Sequence, residues 1–502
     1  MRPSNAGFRS IPAGGGAKYD PCQRQAGVSF PRKREQDTDN WPTYRHDTAR
    51  SGHTRTKVPA TLKRAWQIEL GGRITQPVMA DGKLFLASVD THTVHALDAA
   101  SGAKLWSYTT GGRVDSPLTI YKGRVLFGSA DGWVYCLRAS DGALAWRFRA
   151  APHDLRLMSY EQLESVWPVS GSVLIQGGVA YALAGRSVFL DGGMRLLRLE
   201  PLTGKKLSET ILDDRDPRTG ENLQTRIQQK KMPVALPDIL SSDGKFVYMK
   251  SQRFNLQGRR AVIDPEHETD QEGEGIHLFC PTGFLDDSWF HRTYWIYGKN
   301  AGEGWAEWPV AARLVPGGRI LAFDDTNVYG YGRHPQYLCN SSVLEYRLFA
   351  ADKKLNPERI ARVLKAKIPQ NTVNWKNRAK RPESDLSAVS RKWMIEKPPL
   401  VVRAMVLADR TLFVAGPPDV VDEEKIWGRT LEPGVQAKLK AQGDALNGAQ
   451  GAFLWAVSAD DGTRRAQYRL ESPPVFDGMI AADGRLYIST IDGRLICMGK
   501  RD

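Results

Sequence analysis

Two stretches of the chain repeat one another at a spacing of 40 residues. Residues 73–106 read RITQPVMADGKLFLASVDTHTVHALDAASGAKLW, and residues 113–146 read RVDSPLTIYKGRVLFGSADGWVYCLRASDGALAW. Both copies place a proline, a leucine, a glycine and a final tryptophan at matching positions. In the second copy Asp131-Gly132 separates two apolar runs, which indicates a tight turn between antiparallel strands. A repeat of about 40 residues with four short strands is typical of one blade of a β-propeller.

Weaker copies of the repeat follow along the rest of the chain, at residues 169–212, 238–297, 319–352, 401–470 and 475–498. The last copy stops before its tryptophan-bearing strand. LKRAWQIEL at residues 62–70 supplies such a strand, and its Trp66 lies 40 residues before Trp106. We therefore expect an all-β fold, a single β-propeller of seven four-stranded blades, with eight as the alternative count, in which the N-terminal strand closes the last blade.

Several segments interrupt this pattern. Residues 1–40 are polar and glycine-rich, and we expect them to form a flexible N-terminal tail before a propeller over residues 41–502. Residues 213–232 and 255–275 are polar excursions from blades. Helical spacing of apolar residues predicts short helices over 355–366 and 435–442.

The composition indicates a globular chain: its 502 residues are 41% hydrophobic and 25% charged. A net charge of +14 permits an acidic partner. The basic residues are dispersed and no recognition motif accompanies them, so we expect no specific nucleic-acid binding, and an anionic-polymer binder is only a further alternative. No stretch reaches the roughly 18 apolar residues of a membrane helix, and the start lacks the apolar core of a signal peptide.

The sequence predicts neither a metal site nor catalytic residues. The five cysteines are widely spaced and predict neither a disulfide framework nor a zinc site. Cys136 and Cys497 occupy one equivalent strand position, and we expect both to be small core residues. His92 and His95 are three apart on a predicted strand, so a shared metal is not expected. The chain has no motif of a serine hydrolase, zinc protease or phosphate-binding loop.

The stretch ALDAASGAKLW at residues 96–106 resembles the tryptophan-docking motif of the quinoprotein-dehydrogenase-like (PQQ-like repeat) propellers. The opening WPTYRHDTARSG at residues 41–52 looks like the segment that precedes such propellers in planctomycete-type sequences. That superfamily includes pyrroloquinoline quinone (PQQ) alcohol dehydrogenases and non-catalytic BamB-like propellers of the bacterial envelope. The resemblance implies that Trp66, Trp106 and Trp146 dock neighbouring blades, whereas Ser208 and Ala466 replace the tryptophan in two copies.

Two loops depart from the blade pattern, and the side chains that make them ligand-binding candidates are Arg186, Asp191, Trp289, His291 and Arg292. Arginines suit an anionic group, an indole offers a stacking face, and loops on a rigid scaffold commonly carry function. Adjacent blades could bring these groups together. The alternative is a salt-bridged, aromatic contact between blades.

The sequence therefore favours a binding or scaffold protein that presents loops to a protein partner or a small polar ligand. No cofactor is expected. The resemblance implies an envelope location, with the cytoplasm as the alternative if the start is genuine. Whether the protein is an enzyme stays open, and the enzyme alternative is a PQQ-dependent dehydrogenase with calcium. Such enzymes carry a vicinal disulfide, and this chain has no Cys-Cys pair.

Overall fold

The computed structural model describes residues 39–159, 161–215, 219–220, 235–249, 252–261, 278–279, 295–297, 313–337, 345–366 and 379–500. Within them the chain is mostly β-strand, arranged in small antiparallel sheets of consecutive strands. This is the architecture of an all-β propeller. The predicted tail lies outside the described residues except for its last two positions.

In the part of the chain that the structure describes, eight sheets have three to five strands each, and we number them in chain order. Sheet 1 is β3 (Val78–Ala80), β4 (Lys83–Ser88), β5 (Thr93–Asp98) and β6 (Lys104–Thr109); sheet 2 is β7 (Thr119–Tyr121), β8 (Arg124–Gly128), β9 (Trp133–Arg138) and β10 (Leu144–Arg149); sheet 3 is β13 (Leu174–Gln176), β14 (Val179–Ala184), β15 (Met194–Leu199) and β16 (Lys206–Leu212); sheet 4 is β17 (Ser241–Ser242), β18 (Phe246–Met249) and β19 (Gln252–Asn255).

The remaining sheets include two strands from the N-terminal part of the chain. Sheet 5 is β20 (Leu278–Phe279), β21 (Trp295–Tyr297) and β22 (Gly317–Gly318); sheet 6 is β23 (Ile320–Phe323), β24 (Asn327–Arg333), β25 (Tyr346–Asp352) and β26 (Arg391–Glu396); sheet 7 is β27 (Ala404–Ala408), β28 (Thr411–Gly416), β29 (Ala452–Ser458) and β30 (Arg464–Leu470), joined by β1 (His53–Thr54); sheet 8 is β31 (Pro474–Ala482), β32 (Arg485–Thr490) and β33 (Arg494–Lys500), joined by β2 (Leu62–Glu69).

The strand that the sequence assigns to the last copy lies in sheet 8. β2 pairs antiparallel with β33, and Trp66 stands opposite Cys497. The fourth copy of the sequence analysis, by contrast, is divided between sheets 4 and 5. Residues 238–297 contain a long polar insertion, so the repeat length did not show where one sheet ends and the next begins.

Tryptophans on the outer strands join neighbouring sheets. The indoles of Trp66, Trp106 and Trp146 donate from Nε1 to the carbonyls of Ala99, Ala139 and Pro201, at 3.2, 3.2 and 3.1 Å. Each acceptor belongs to the turn before the outer strand of the next sheet. The same turn has a glycine, Gly102, Gly142 or Gly204, on which the indole lies so closely that a Cβ there would come within 2.8 Å of the ring.

A fourth such contact, at Trp393, was missed by the sequence analysis. Its Nε1 donates to the carbonyl of Ala459 at 2.9 Å, and its ring lies on Gly462. The signal was in the sequence: a D-D-G turn at residues 460–462 implies a tryptophan on the outer strand of the preceding sheet.

Where the tryptophan is missing, other side chains take its place. At Ser208 the guanidinium of Arg198 donates to the hydroxyl at 3.3 Å, and a Cβ on Gly258 would come within 2.9 Å of the Arg198 Cδ. Beyond Ala466, the Tyr468 hydroxyl accepts from Leu62 N and donates to Ala60 O, both at 2.7 Å. These two junctions therefore pack differently from those that have a tryptophan.

The two predicted cysteine core positions are also confirmed. Cys136 and Cys497 are fully buried, each opposite the docking tryptophan of its own sheet. Burial raises the pKa of Cys136 to about 12 and that of Cys497 to about 11, so both stay thiols at neutral pH.

The described helices decorate the sheets: α1 (Pro357–Lys365), α2 (Glu383–Leu386), α3 (Glu423–Ile426) and α4 (Pro433–Leu446), with a 3₁₀ turn at Pro335–Tyr337. The predicted helices at 355–366 and 435–442 correspond to α1 and α4. The first begins where Asn356 Oδ1 accepts from Arg359 N. None of the described helices has the length and apolar character of a membrane span.

Because the indole lies directly on the glycine, a methyl group added to that glycine should lower the stability of the protein. Gly142 and Gly123 both have positive φ, +74° and +70°, but a Cβ on Gly142 meets the Trp106 ring at 2.6 Å, whereas a Cβ on Gly123 meets nothing within 4 Å. We expect Gly142→Ala to lower the free energy of unfolding by about 1–3 kcal/mol more than Gly123→Ala. Denaturant midpoints measure the difference, and equal losses for the two variants would show that the junction does not depend on this contact.

Candidate functional site

The structure places two of the five predicted ligand-binding residues, Arg186 and Asp191, in the connection between β14 and β15. This connection spans residues 185–193, whereas its counterpart in sheet 2 spans only 129–132. The other three candidates, Trp289, His291 and Arg292, lie outside the described residues. A site formed by all five therefore stays a prediction.

Arg186 is held by a buried carboxylate. Its Nη2 lies 2.7 Å from Oε2 of Glu164, and Oε1 of the same carboxylate lies 2.6 Å from Nη1 of Arg113. Glu164 has only 2% of its side chain exposed, and Arg113 also contacts Asp115 at 3.0 Å. One carboxylate thus joins three segments: the connection before β7, the strand that carries Glu164, and the connection after β14.

Asp191 contributes through its backbone. Its carbonyl accepts from the Trp167 indole at 3.0 Å, and its φ of +56° turns the chain back towards β15. The side chain itself is exposed. The carboxylate that contacts Arg186 is that of Glu164.

Glu164 belongs to a two-stranded hairpin that the sequence analysis missed. The hairpin is β11 (Arg156–Ser159) and β12 (Gln162–Ser165), inserted between sheets 2 and 3. Its inner face contains Glu164 and also Gln162, whose Oε1 lies 2.8 Å from Nε2 of His92. Ser165 N donates to Ala130 O at 2.8 Å, so backbone as well as side chains fix the hairpin over neighbouring loops.

The outer face of the hairpin is apolar and exposed. Met158 and Leu163 stand opposite one another in the register and are 69% and 51% exposed. Leu155 at the base of the hairpin, and Phe189 and Leu190 in the loop of Arg186, are also exposed. We call the set Leu155, Met158, Leu163, Phe189 and Leu190 the hairpin surface. Its two segments are joined by the Glu164–Arg186 ion pair.

The sequence contained a signal for this surface. The connection between β10 and β13 is far longer than the one between β6 and β7, and LRLMSYEQL at residues 155–163 places apolar residues in it without a core to bury them. Exposed apolar residues on adjoining segments are typical of interaction sites. Choosing residue types that suit a ligand selected Arg186 instead, and its side chain holds the loop against Glu164.

The described residues do not fit calcium-bound PQQ. No group of three or more histidine, cysteine, aspartate or glutamate side chains in them is arranged to hold a metal ion. The two described cysteines are buried in different sheets, and the whole sequence has no adjacent cysteine pair. No catalytic step is assigned to PQQ, and the expectation of no cofactor stays a prediction.

One buried and one partly buried histidine are neutral at pH 7. Burial, and then the charge of Lys104, lowers the pKa of His95 to about 4, and its Nε2 lies 3.0 Å from the Ser88 hydroxyl. Burial, and then Arg347, lowers the pKa of His334 to about 4. The unfolded chain binds protons on these groups near pH 6.5, so protonation favours unfolding.

This difference predicts the pH dependence of stability. The contribution of a neutral His95 is present above pH 6.5 and is lost as the pH falls towards about 4. We expect the free energy of unfolding to decrease across this window, by on the order of 2 kcal/mol for one such histidine. His95→Gln, which cannot be charged, should flatten part of the decrease measured by denaturant unfolding at pH 7 and pH 5. A wild-type stability that is constant between these pH values would contradict the prediction.

Because Glu164 binds two arginines, we expect its substitution to lower the stability more than the substitution of Arg186. Glu164→Gln removes a buried charge that faces two arginines, so we expect a loss of about 3 kcal/mol in the free energy of unfolding. Arg186→Ala leaves Glu164 paired with Arg113 and should cost about 1 kcal/mol or less. Denaturant unfolding measures both, and hydrogen exchange should rise in residues 156–165 of the glutamine variant. If Arg186→Ala proved the more damaging change, Arg186 rather than Glu164 would be the anchor.

Comparisons with known proteins agree with this architecture. Residues 48–257 match the family model described as outer membrane protein assembly factor BamB. The quinohemoprotein alcohol dehydrogenase of Comamonas testosteroni is similar in structure, with a TM-score of 0.53 and 13% identity, over 94% of this chain and 82% of that one. A europium-containing methanol dehydrogenase has a TM-score of 0.51 and 11% identity, over 93% and 99% of the two chains.

BamB of Moraxella catarrhalis has a TM-score of 0.46 and 10% identity, over 88% of this chain and all of that one. Among curated proteins none matches this chain in sequence. The low identities to solved structures show the fold alone. The family match over residues 48–257 and the shared fold agree with the resemblance that the docking motif indicated, a β-propeller with PQQ-like repeats.

Proposed function

We propose that this protein is a non-catalytic β-propeller scaffold that binds a protein partner through the hairpin surface. The proposal includes the finer architecture: the eight sheets are the blades of one ring, and β2 closes it by pairing with β33. The number seven from the sequence analysis is then replaced by its alternative, eight.

The observation that carries the proposal is the hairpin β11–β12. Its inner face is fastened by Glu164, Gln162 and the backbone of Ser165, while its outer face presents Met158 and Leu163 to solvent. A rigidly held, exposed apolar face has little entropy to lose on association, and methionine adapts to irregular partner surfaces. These are properties of a protein-binding surface.

A protein partner is favoured over a small polar ligand by the shape of the surface. Small ligands bind in concave sites that enclose most of their area. The hairpin surface is an exposed two-stranded element, and a cavity of about 410 Å³ beside Lys57 and Lys500 is lined by residues of other sheets. The cell envelope of a bacterium is the location we propose, because the matched family model is that of an outer membrane assembly factor.

Serine substitutions test the surface directly. Met158→Ser with Leu163→Ser removes exposed apolar area, so we expect the melting temperature to stay within about 2 °C and partner binding to weaken at least tenfold. The matched control is Leu431→Ser with Leu439→Ser, which removes exposed leucines, one of them 86% exposed, near α4. A photo-cross-linking residue at position 158 or 190 in the native host should capture the same protein, and one at position 431 should not.

Equal capture at positions 158 and 431, or binding unaffected by the serine pair, would overturn the assignment of the surface. A separate measurement addresses the enzyme alternative. Purified protein with PQQ and calcium should show no dye-linked oxidation of alcohols or sugars. Turnover that disappears on chelation would replace the scaffold function with a dehydrogenase.

A further inference from the structure

The segment WPTYRHDTARSG, which the proposed function does not use, crosses from sheet to sheet. Its neighbourhood, residues 39–54, makes backbone hydrogen bonds to six of the eight sheets, and we call it the central tie. The bonds are Trp41 to Met79 in both directions, Ile120 N to Pro42 O, Ser242 N to Thr48 O, Phe323 N to Ser51 O, Leu407 N to Gly52 O, and Asp483 N to Asp39 O, at 2.7–3.0 Å.

These contacts share a location within their sheets. Five of them fall on the first strand of a sheet, β3, β7, β17, β23 or β27, and the sixth on the turn that follows β31. β1, which belongs to the central tie, adds a parallel strand to β27. A single short segment thus forms hydrogen bonds with backbone N–H and C=O groups of sheets that are far apart in the chain.

Arg45 fastens the central tie to sheets 6 and 8. Its Nη1 lies 2.7 Å from both oxygens of Asp477 in β31, and Nη2 donates to Leu321 O in β23. The side chains of Arg45 and Asp477 are 2% and 3% exposed. Breaking a buried pair of this kind by removing one partner is strongly destabilising.

Arg50 fastens the central tie to sheet 4. Its Nε and Nη2 donate to Leu240 O at 2.9 and 2.7 Å, immediately before β17, and Nη1 donates to Tyr44 O at 2.9 Å. Arg50 is fully buried. Burial lowers the pKa of Arg50 to about 10, which still leaves the guanidinium charged at neutral pH.

The backbone of the central tie is strained into this position. Arg45, His46 and Arg50 have φ of +53°, +78° and +59°, a region that residues other than glycine seldom adopt. Gly52 has a φ of +65°, and a Cβ there would lie 2.7 Å from the Arg45 guanidinium. Conformations of this kind persist only where surrounding contacts impose them.

We propose that the central tie couples six sheets into one cooperative unit. In a repeat protein, stability is a sum of terms between nearest neighbours, so distant repeats open independently. The central tie adds direct bonds among sheets 1, 2, 4, 6, 7 and 8. Any of these sheets that opens must therefore release a segment bonded to the other five.

Native-state hydrogen exchange of the full chain, measured by mass spectrometry at increasing denaturant, tests this coupling. In the wild type, the slowest amides of the six sheets should converge on one common opening. Arg50→Met should separate them into groups with different denaturant dependence, and the amides that bond the tie, such as Ser242 and Phe323, should exchange about a hundredfold faster.

The control is Trp146→Phe, which removes the bond to Pro201 O at one junction between neighbouring sheets. It should lower the stability of the common opening in all six tied sheets without separating them into groups. Arg50→Lys is a milder second variant, since one ammonium cannot reproduce the bonds of the guanidinium, and it should show the same separation to a smaller extent.

Two outcomes would overturn the coupling. One is separate opening of the six sheets in the wild type, which needs no variant to observe. The other is a common opening that survives Arg50→Met, or a separation no greater than that caused by Trp146→Phe. Either result would show that the central tie does not couple the opening of the six sheets.

Discussion

The structure depends on one recurring contact, an indole lying on a glycine of the next sheet. The glycine has positive φ because it ends the turn before the outer strand. Since it has no Cβ, the indole ring can lie directly on its backbone. The carbonyl of the same turn accepts the indole N–H, so the polar atom of a large apolar side chain is satisfied where it is buried. Each contact fixes both the distance and the rotation between two sheets.

The repeat was readable from the sequence because this contact requires specific residues. A tryptophan, a glycine and an Asp-Gly turn at fixed spacing predicted the first sheets, the strand at Trp66 and the cysteine positions. The prediction lost accuracy where other residues make the junction. At two junctions a different side chain makes the contact that the indole makes elsewhere: Arg198 beside Ser208, and Tyr468 beyond Ala466. A repeat pattern does not predict such a replacement. The division of residues 238–297 into two sheets was missed because a long polar insertion interrupts the repeat there.

The candidate site shows a different limit of sequence reasoning. Arg186 was selected because a charged group in an enlarged loop suits a ligand, but its partner Glu164 lies 22 positions away in an unrecognised hairpin. A buried carboxylate with two arginines is a tertiary arrangement, and local sequence does not reveal it. The exposed residues it positions, Met158 and Leu163, are of types normally assigned to a core, so composition alone hides them. Burial, not residue type, identified the surface.

The pairing of β2 with β33 has a consequence for the synthesis of the chain. The last strand of sheet 8 is made about 425 residues after its partner, Glu69 to Arg494. At translation rates of about 5–20 residues per second, β2 waits roughly 20–90 s before that neighbour exists. During this time the backbone of β2, the strand that carries Trp66, has no partner strand in sheet 8. In a nascent chain of this protein, β2 is therefore a strand that can pair with other chains until β33 has been made.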